Sequence, residues 1–158
     1  WIPDQVIKDS KVIPCSLNTL LKKCDIIYVL ATVTSKNVGL INKKNLSTLK
    51  KGSCFILMSR AALINFDDFI ARLKRGDIYA AIDVFPKEPV NKKDPIRKLN
   101  NVLFSAHRAG ALDVAFKEMG DIVYQDMCLI MNHLPPRLCK RAERETVKHL
   151  RSKPVEIN

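Results

Sequence analysis

Four apolar runs, D-I-I-Y-V-L-A (Asp25 to Ala31), S-C-F-I-L-M-S (Ser53 to Ser59), I-Y-A-A-I-D-V (Ile78 to Val84) and N-V-L-F-S (Asn101 to Ser105), constrain this chain more than any other feature. Each is too short for a helix and nearly continuous in apolar residues, which is the pattern of a strand buried on both faces of a parallel sheet. The segments between them carry helical spacing and helical punctuation. Ser16 is placed to cap a helix from Leu17 to Lys23, a second helix is expected around Lys43 to Lys50 before Gly52, and a third from Asp67 to Arg75 before Gly76. Strand and helix alternate, so the expected fold class is α/β, with right-handed crossovers and helices on both faces of the sheet.

The flanking segments extend this reading. Asp4 to Asp9 is a short amphipathic piece, and Val12 to Cys15 reads as a further short strand. A single helical turn is expected at Ile96 to Leu99. Beyond Gly110 a long helix from Ala111 to about His133 is expected, with Leu112, Ala115, Met119, Ile122, Val123 and Ile130 as a stripe facing the core, until Pro135-Pro136 ends it. The remainder is a basic tail with a helix expected around Lys140 to Leu150.

Composition removes several function classes. No run approaches the length of a membrane span and the N-terminal residues lack a signal-peptide layout, so a cytoplasmic protein is expected. The five cysteines, at 15, 24, 54, 128 and 139, form no C-x-x-C pair and lie near no histidine at zinc spacing; reduced thiols and no metal site are expected. A net charge of +11 favours anionic ligands without choosing among them. Its lysines are scattered, aromatics are few and the densest basic stretch is the tail from Arg137, a poor basis for a nucleic-acid partner.

In open α/β sheets, ligands bind at the carboxyl ends of the strands. That rule gathers Thr32, Ser59, Arg60, Asp83 and His107 on one rim, with Glu88 in the loop after the third run. Singly, each has an ordinary structural reading: a histidine that ends a strand, a surface arginine, loop acids. Together they suit proton transfer to an anionic substrate. Arginine grips a carboxylate with a fixed two-pronged fork. A histidine near its ordinary pKa of ~6.5 can be held protonated by a neighbouring carboxylate and act as a general acid.

The segments V-G-L-I-N-K-K-N-L-S-T-L-K-K-G, S-R-A-A-L-I, A-A-I-D-V-F-P-K-E-P and N-V-L-F-S-A-H-R-A-G, in this order, resemble the C-terminal part of the D-isomer-specific 2-hydroxyacid dehydrogenases, over roughly residues 1 to 125. The pairing of D-V-F-x-x-E-P with a following H-x-A-G carries most of the specificity. The resemblance implies a partial Rossmann-like parallel sheet with flanking helices, then a long helix and a basic tail, divided as residues 1–110 and 111–158. It implies an oxidoreductase that moves hydride between NAD (or NADP) and a small 2-oxo or 2-hydroxy acid, homodimeric in the full-length protein.

Residue by residue, Arg60 matches the arginine that holds the carboxylate of the 2-oxo acid, His107 the proton donor, and Glu88 its acidic partner. Asp83 matches the aspartate beside the nicotinamide amide; Ala31, Thr32, Met58 and Ser59 fall at strand ends against the cofactor; and Gly110 closes the turn after His107. Departures are Ala61 where glycine is usual, Thr32 where proline is common, and Arg108 beside the histidine, an arginine that either faces solvent or adds charge for a dicarboxylate or phosphorylated substrate. No G-x-G-x-x-G occurs, so the loop that would bring the pyrophosphate to a helix N-terminus is expected upstream of Trp1, in a longer dehydrogenase. The alternative from another class is a non-catalytic nucleotide-binding or dimerisation module that keeps the fold and not the chemistry.

Overall fold

The computed structural model describes residues 4–139. Its elements in chain order are α1 (Asp4–Asp9), α2 (Leu17–Lys23), β1 (Ile26–Val29), α3 (Lys43–Leu46), β2 (Cys54–Leu57), a 3-10 turn (Ala61–Leu63), α4 (Phe66–Leu73), β3 (Tyr79–Ile82), a second 3-10 turn (Pro95–Lys98), β4 (Val102–Phe104) and α5 (Asp113–Met131). The four strands form one parallel sheet in the order β1-β2-β3-β4. That is the all-parallel α/β arrangement expected from the alternating pattern. The helix expected at Lys140 to Leu150 lies outside the described residues.

Local chemistry sets the helix starts. The Ser16 hydroxyl accepts from the Thr19 N–H at 3.2 Å, Asn42 forms a capping box with Asn45, and the Asn65 side chain accepts from the Asp68 N–H at 3.1 Å, so donors that lack helical partners are met. The turns before β2 and β3 pass through Gly52 at φ 82° and Gly76 at φ 72°, a region open to glycine at little cost. The expected helix at Lys43 to Lys50 ends at Leu46; Thr48 and Ser47 then turn their hydroxyls onto the carbonyls of Asn45 and Lys44, which favours a turn over helix propagation.

Register explains the core. Ile27, Phe55, Ala80 and Val102 lie in one row across the sheet and Val29, Leu57, Ile82 and Phe104 in the next, all on the same face. Leu21 of α2, Leu46 of α3 and Phe69 and Leu73 of α4 close over them, and each of these four is essentially inaccessible. Phe69 stacks on Phe55 at 4.9 Å between ring centroids, and ring contacts continue through Phe66 and Phe85 to Phe104. This aromatic chain joins the centre of the core to the carboxyl rim of the sheet, each contact adding about 0.5–1.5 kcal/mol beyond burial. Beside it Arg72, buried on α4, pairs with Asp77 and donates to the Leu46 carbonyl at 3.1 Å. The Arg72 guanidinium holds the Asp77 carboxyl below its usual range.

Three expectations are corrected. Val12 to Cys15 is not a strand: Pro14 has no N–H to give a ladder, Val12 and Ile13 are exposed, and among the described residues no strand pairs with them. The described helices that pack on the sheet pack on one face, not both; Ile26, Tyr28, Tyr79 and Leu103 on the opposite face are exposed. Finally, the stripe on the long helix does not face the core. Leu112, Met119, Ile122, Val123 and Ile130 are exposed and Ala115 is half-buried, because α5 leaves the rim after the turn at His107 with no layer alongside it among the described residues.

What α5 does hold is its own return. Asp126 is buried and accepts from the N–H groups of Arg137 at 2.8 Å, Leu138 at 3.1 Å and Cys139 at 2.7 Å. The Arg137 and Cys139 amides outweigh burial and lower its pKa to about 2. Burial and the adjacent Asp126 carboxylate push the Cys139 thiol up. Among the described residues no helix is long and apolar enough to cross a membrane.

Candidate functional site

The carboxyl rim of the sheet gathers the singled-out residues because all four strands point the same way. After β1 come Ala31 and Thr32, both exposed; after β2, Met58, Ser59 and Arg60; after β3, Asp83; after β4, His107. Asn37 steadies the first of these ends, its amide donating to the Thr32 carbonyl at 2.8 Å and accepting from the Thr34 N–H at 2.7 Å.

The tightest arrangement is at the far end of the rim. His107 Nδ1 lies 2.7 Å from Glu88 Oε2, and the other oxygen of Glu88 accepts from the Phe85 N–H at 2.8 Å. An ionised carboxylate offers only acceptors, so Nδ1 is the donor and Nε2 is left free for another partner. Both side chains keep roughly a third to two-fifths of their surface, 33% for Glu88 and 43% for His107, so they are reachable from outside. A cavity of about 450 Å³ opens beside the pair, walled by Phe85, Val90, Ile96 and Phe104.

Asp83 shapes the turn that presents this histidine. Its main-chain carbonyl accepts from the His107 N–H at 2.8 Å, while its carboxylate oxygens accept from the N–H groups of Arg108 at 2.8 Å and Ala109 at 3.0 Å. Burial on its own would raise the Asp83 pKa; the Ser105 hydroxyl, the Ala109 and Arg108 amides and the charge of His107 together reverse this and hold it below the usual range. Bound in this way, His107 takes φ 54°, a left-handed conformation that costs a non-glycine residue about 1–2 kcal/mol. Gly110, which follows this turn, is not at positive φ, and a Cβ there would meet nothing within 4 Å. The special backbone position is the histidine itself.

Arg60 does not line the cavity beside the pair. It is exposed, and its guanidinium donates to the Ser59 carbonyl at 2.7 Å, a local bond that a carboxylate-bearing ligand would have to displace or share. The Ser59 hydroxyl is buried with no partner. Together with the accessible Met58 and the short side chain of Ala31, an orphaned hydroxyl at a strand end fits the planar, amide-bearing end of a nucleotide cofactor laid along the rim. The described residues therefore suit one half of such a cofactor, and no glycine-rich loop is present for its phosphates. Among the described residues, no group of three His, Cys, Asp or Glu side chains is placed to hold a metal ion.

Sequence reasoning missed Ser105 and the dual use of Asp83. The signal was faint: an aspartate ending one strand and a serine ending the next, which matter only once β3 and β4 pair in register.

Comparison with known proteins bears directly on this rim. A family model described as the NAD binding domain of D-isomer specific 2-hydroxyacid dehydrogenases matches residues 2–109. A glyoxylate reductase of Thermofilum pendens is 31% identical over 143 residues, covering 89% of this chain and 42% of that protein. The crystal structure of a phosphoglycerate oxidoreductase from Rhizobium etli superposes with a TM-score of 0.82 at 46% identity, covering 91% of this chain and 44% of that one. A dehydrogenase of the same description from Xanthobacter autotrophicus Py2, solved in complex with NADPH and MES, gives a TM-score of 0.68 at 26% identity over 79% of this chain and 51% of that one. The chain spans less than half the length of the curated relatives it matches.

Proposed function

From the premise that this chain belongs to the D-isomer specific 2-hydroxyacid dehydrogenases, through their NAD binding domain, we propose that it carries the acid–base half of a hydride-transfer site acting on a small 2-oxo or 2-hydroxy acid. The observation that carries the reading is the His107 Nδ1 to Glu88 contact at 2.7 Å, on a turn clamped by Asp83. A nicotinamide cofactor, NAD or NADP, supplies the hydride when bound.

The residues divide the work. Arg60 grips the substrate carboxylate and draws charge from the neighbouring carbonyl. His107, held by Glu88 in the tautomer that leaves Nε2 facing the substrate, gives a proton to the carbonyl oxygen in reduction and takes it back in oxidation. Ala31, Thr32, Met58, Ser59, Asp83 and Gly110 are the residues that would hold the cofactor, with the orphaned Ser59 hydroxyl available for a hydrogen bond. In this reading residues 1–110 are the C-terminal portion of the nucleotide domain and 111–158 a connecting helix and basic tail, in a cytoplasmic homodimer.

The test follows oxidation of NADH and NADPH with glyoxylate, hydroxypyruvate and other small 2-oxo acids, using the protein with any coding sequence that flanks residues 1–158. His107→Ala should lower kcat about 10²–10⁴-fold, and Arg60→Ala should both raise KM and lower kcat. A full rate in His107→Ala would sink the assignment. No turnover and no NAD(P) binding would favour the non-catalytic module.

A further inference from the structure

The loop that carries Glu88 is fixed from behind by a residue with no role so far. Arg97, on the 3-10 turn Pro95–Lys98, donates from Nε to the Asn91 carbonyl and from a terminal nitrogen to the Val90 carbonyl, both at 2.9 Å. Two consecutive loop carbonyls are thus held by one planar fork, and Val90 is only two residues beyond Glu88. The turn under Arg97 is itself anchored. The Asp94 carboxylate accepts from the Ile96 N–H at 2.9 Å, and Ile96 is buried to within 1% in the core. Arg97 also lines the cavity shared by Glu88 and His107.

At the near end of the loop, Phe85 N–H meets Glu88 Oε1 at 2.8 Å. The Glu88 carboxylate is therefore held between two fixed points, one at Phe85 and one at Arg97. With the far point released, the Val90 carbonyl would lose its partner and the loop would keep the bond at Phe85, the local bonds of Asn91 to the Lys93 and Asp94 N–H groups and the packing of Val90 on the core; the stretch that carries Glu88 regains freedom when one of its restraints is lost.

The geometry points to Arg97 as a positioning residue that acts through the Val90 and Asn91 carbonyls to hold Glu88 against His107 Nδ1, and so sets the tautomer of the histidine. This deepens the acid–base reading above and rests on it. Lysine would do the job less well, because one ammonium cannot present two donors in a fixed plane to adjacent carbonyls.

The experiment reads the His107 tautomer directly by long-range nitrogen–proton correlation NMR on the 158-residue chain, above the pH at which imidazole is charged. No cofactor or substrate is needed. Wild type should be mainly the Nδ1–H form, and Glu88→Ala should revert to the Nε2–H form that predominates for imidazole in water. Arg97→Met should move most of the way to the Glu88→Ala spectrum while the amide shifts of β1 to β4 stay native, and Arg97→Lys should fall between. An unchanged tautomer in Arg97→Met overturns the inference. Should Arg97→Met fail to fold, an unchanged tautomer in Arg97→Lys overturns it instead.

Where the turnover assay succeeds, Arg97→Met should lower kcat about tenfold with KM within about twofold, since an acid held loosely costs the proton-transfer step more than it costs binding. A rise in KM alone would count against it. A tautomer shift without any turnover would leave Arg97 in place and remove the dehydrogenase reading, so the two failures are separable.

Discussion

Two apolar surfaces of similar composition meet opposite fates in this chain. Under α2, α3 and α4, the sheet face lined by Phe55, Leu57 and Ile82 is sealed, and Leu21, Phe69 and Leu73 are fully inaccessible. Along α5, Met119, Val123 and Ile130 are about half exposed, at 51%, 49% and 56%. Apolar spacing on a helix records that the helix has a partner and not where the partner is. Burial, with the stability it brings, belongs to the first surface alone. The second contributes to this fold chiefly through one polar residue, Asp126.

Substitutions can break or sharpen that contrast. The largest effect is expected for Phe69→Ala, about 3–5 kcal/mol in denaturant unfolding, because it removes the ring that stacks on Phe55 and leaves a cavity. A cost under about 1 kcal/mol would mean that the sealed face is not the stabilising one. Next comes Asn101→Leu. Its amide donates to the carbonyls of Leu73 at 3.0 Å and Ile78 at 2.7 Å, tying the end of α4 to the start of β3. Losing both bonds should cost about 1–3 kcal/mol by the same measurement.

The third prediction concerns pH and is local to α5. Asp126 has its folded pKa lowered to about 2, so the stability it contributes is present above the ordinary carboxylate value of ~3.9 and is lost as pH falls toward the folded one. The difference in amide-exchange protection of Leu138 and Cys139 between wild type and Asp126→Asn should be constant above pH ~4 and shrink below it. A difference that persists unchanged to pH ~2 would show that the return is held by something else. The smallest effect is expected for Val123→Ser, within about 0.5 kcal/mol, since its side chain is already half in water. A larger loss would mean that α5 is covered in solution and the contrast is false.

Much of the architecture was legible in the sequence, for identifiable reasons. Short apolar runs bounded by polar residues gave β1 to β4 to within a few residues, since a strand buried in a parallel sheet leaves little room for polar side chains. Ser16 was readable as a cap because a serine before a leucine-rich helical run has one obvious use. The placement of Glu88 and His107 near one another was likewise foreseeable, one in the loop after β3 and the other at the end of β4, which pair.

What stayed hidden depends on geometry that residue type does not encode. Asp83 was readable as a rim acid, yet its oxygens serve the Arg108 and Ala109 amides, which requires the left-handed turn at His107. The fork of Arg97 closes on main-chain carbonyls, and no sequence pattern marks a carbonyl acceptor. The second face of the sheet, uncovered among the described residues, was invisible because Ile26, Tyr28 and Leu103 are as apolar as their buried neighbours.

The left-handed backbone at His107 also bears on how substitutions there should be chosen. At φ 54° most replacements exchange two things together, the imidazole and the comfort of the main chain, so a loss of rate in His107→Ala mixes chemistry with a shifted turn. Asparagine tolerates this region far better than most residues and carries no titrating proton near neutral pH. His107→Asn is accordingly the cleaner subtraction. The gap between the asparagine and alanine variants would measure what the turn, apart from the imidazole, is worth to the site.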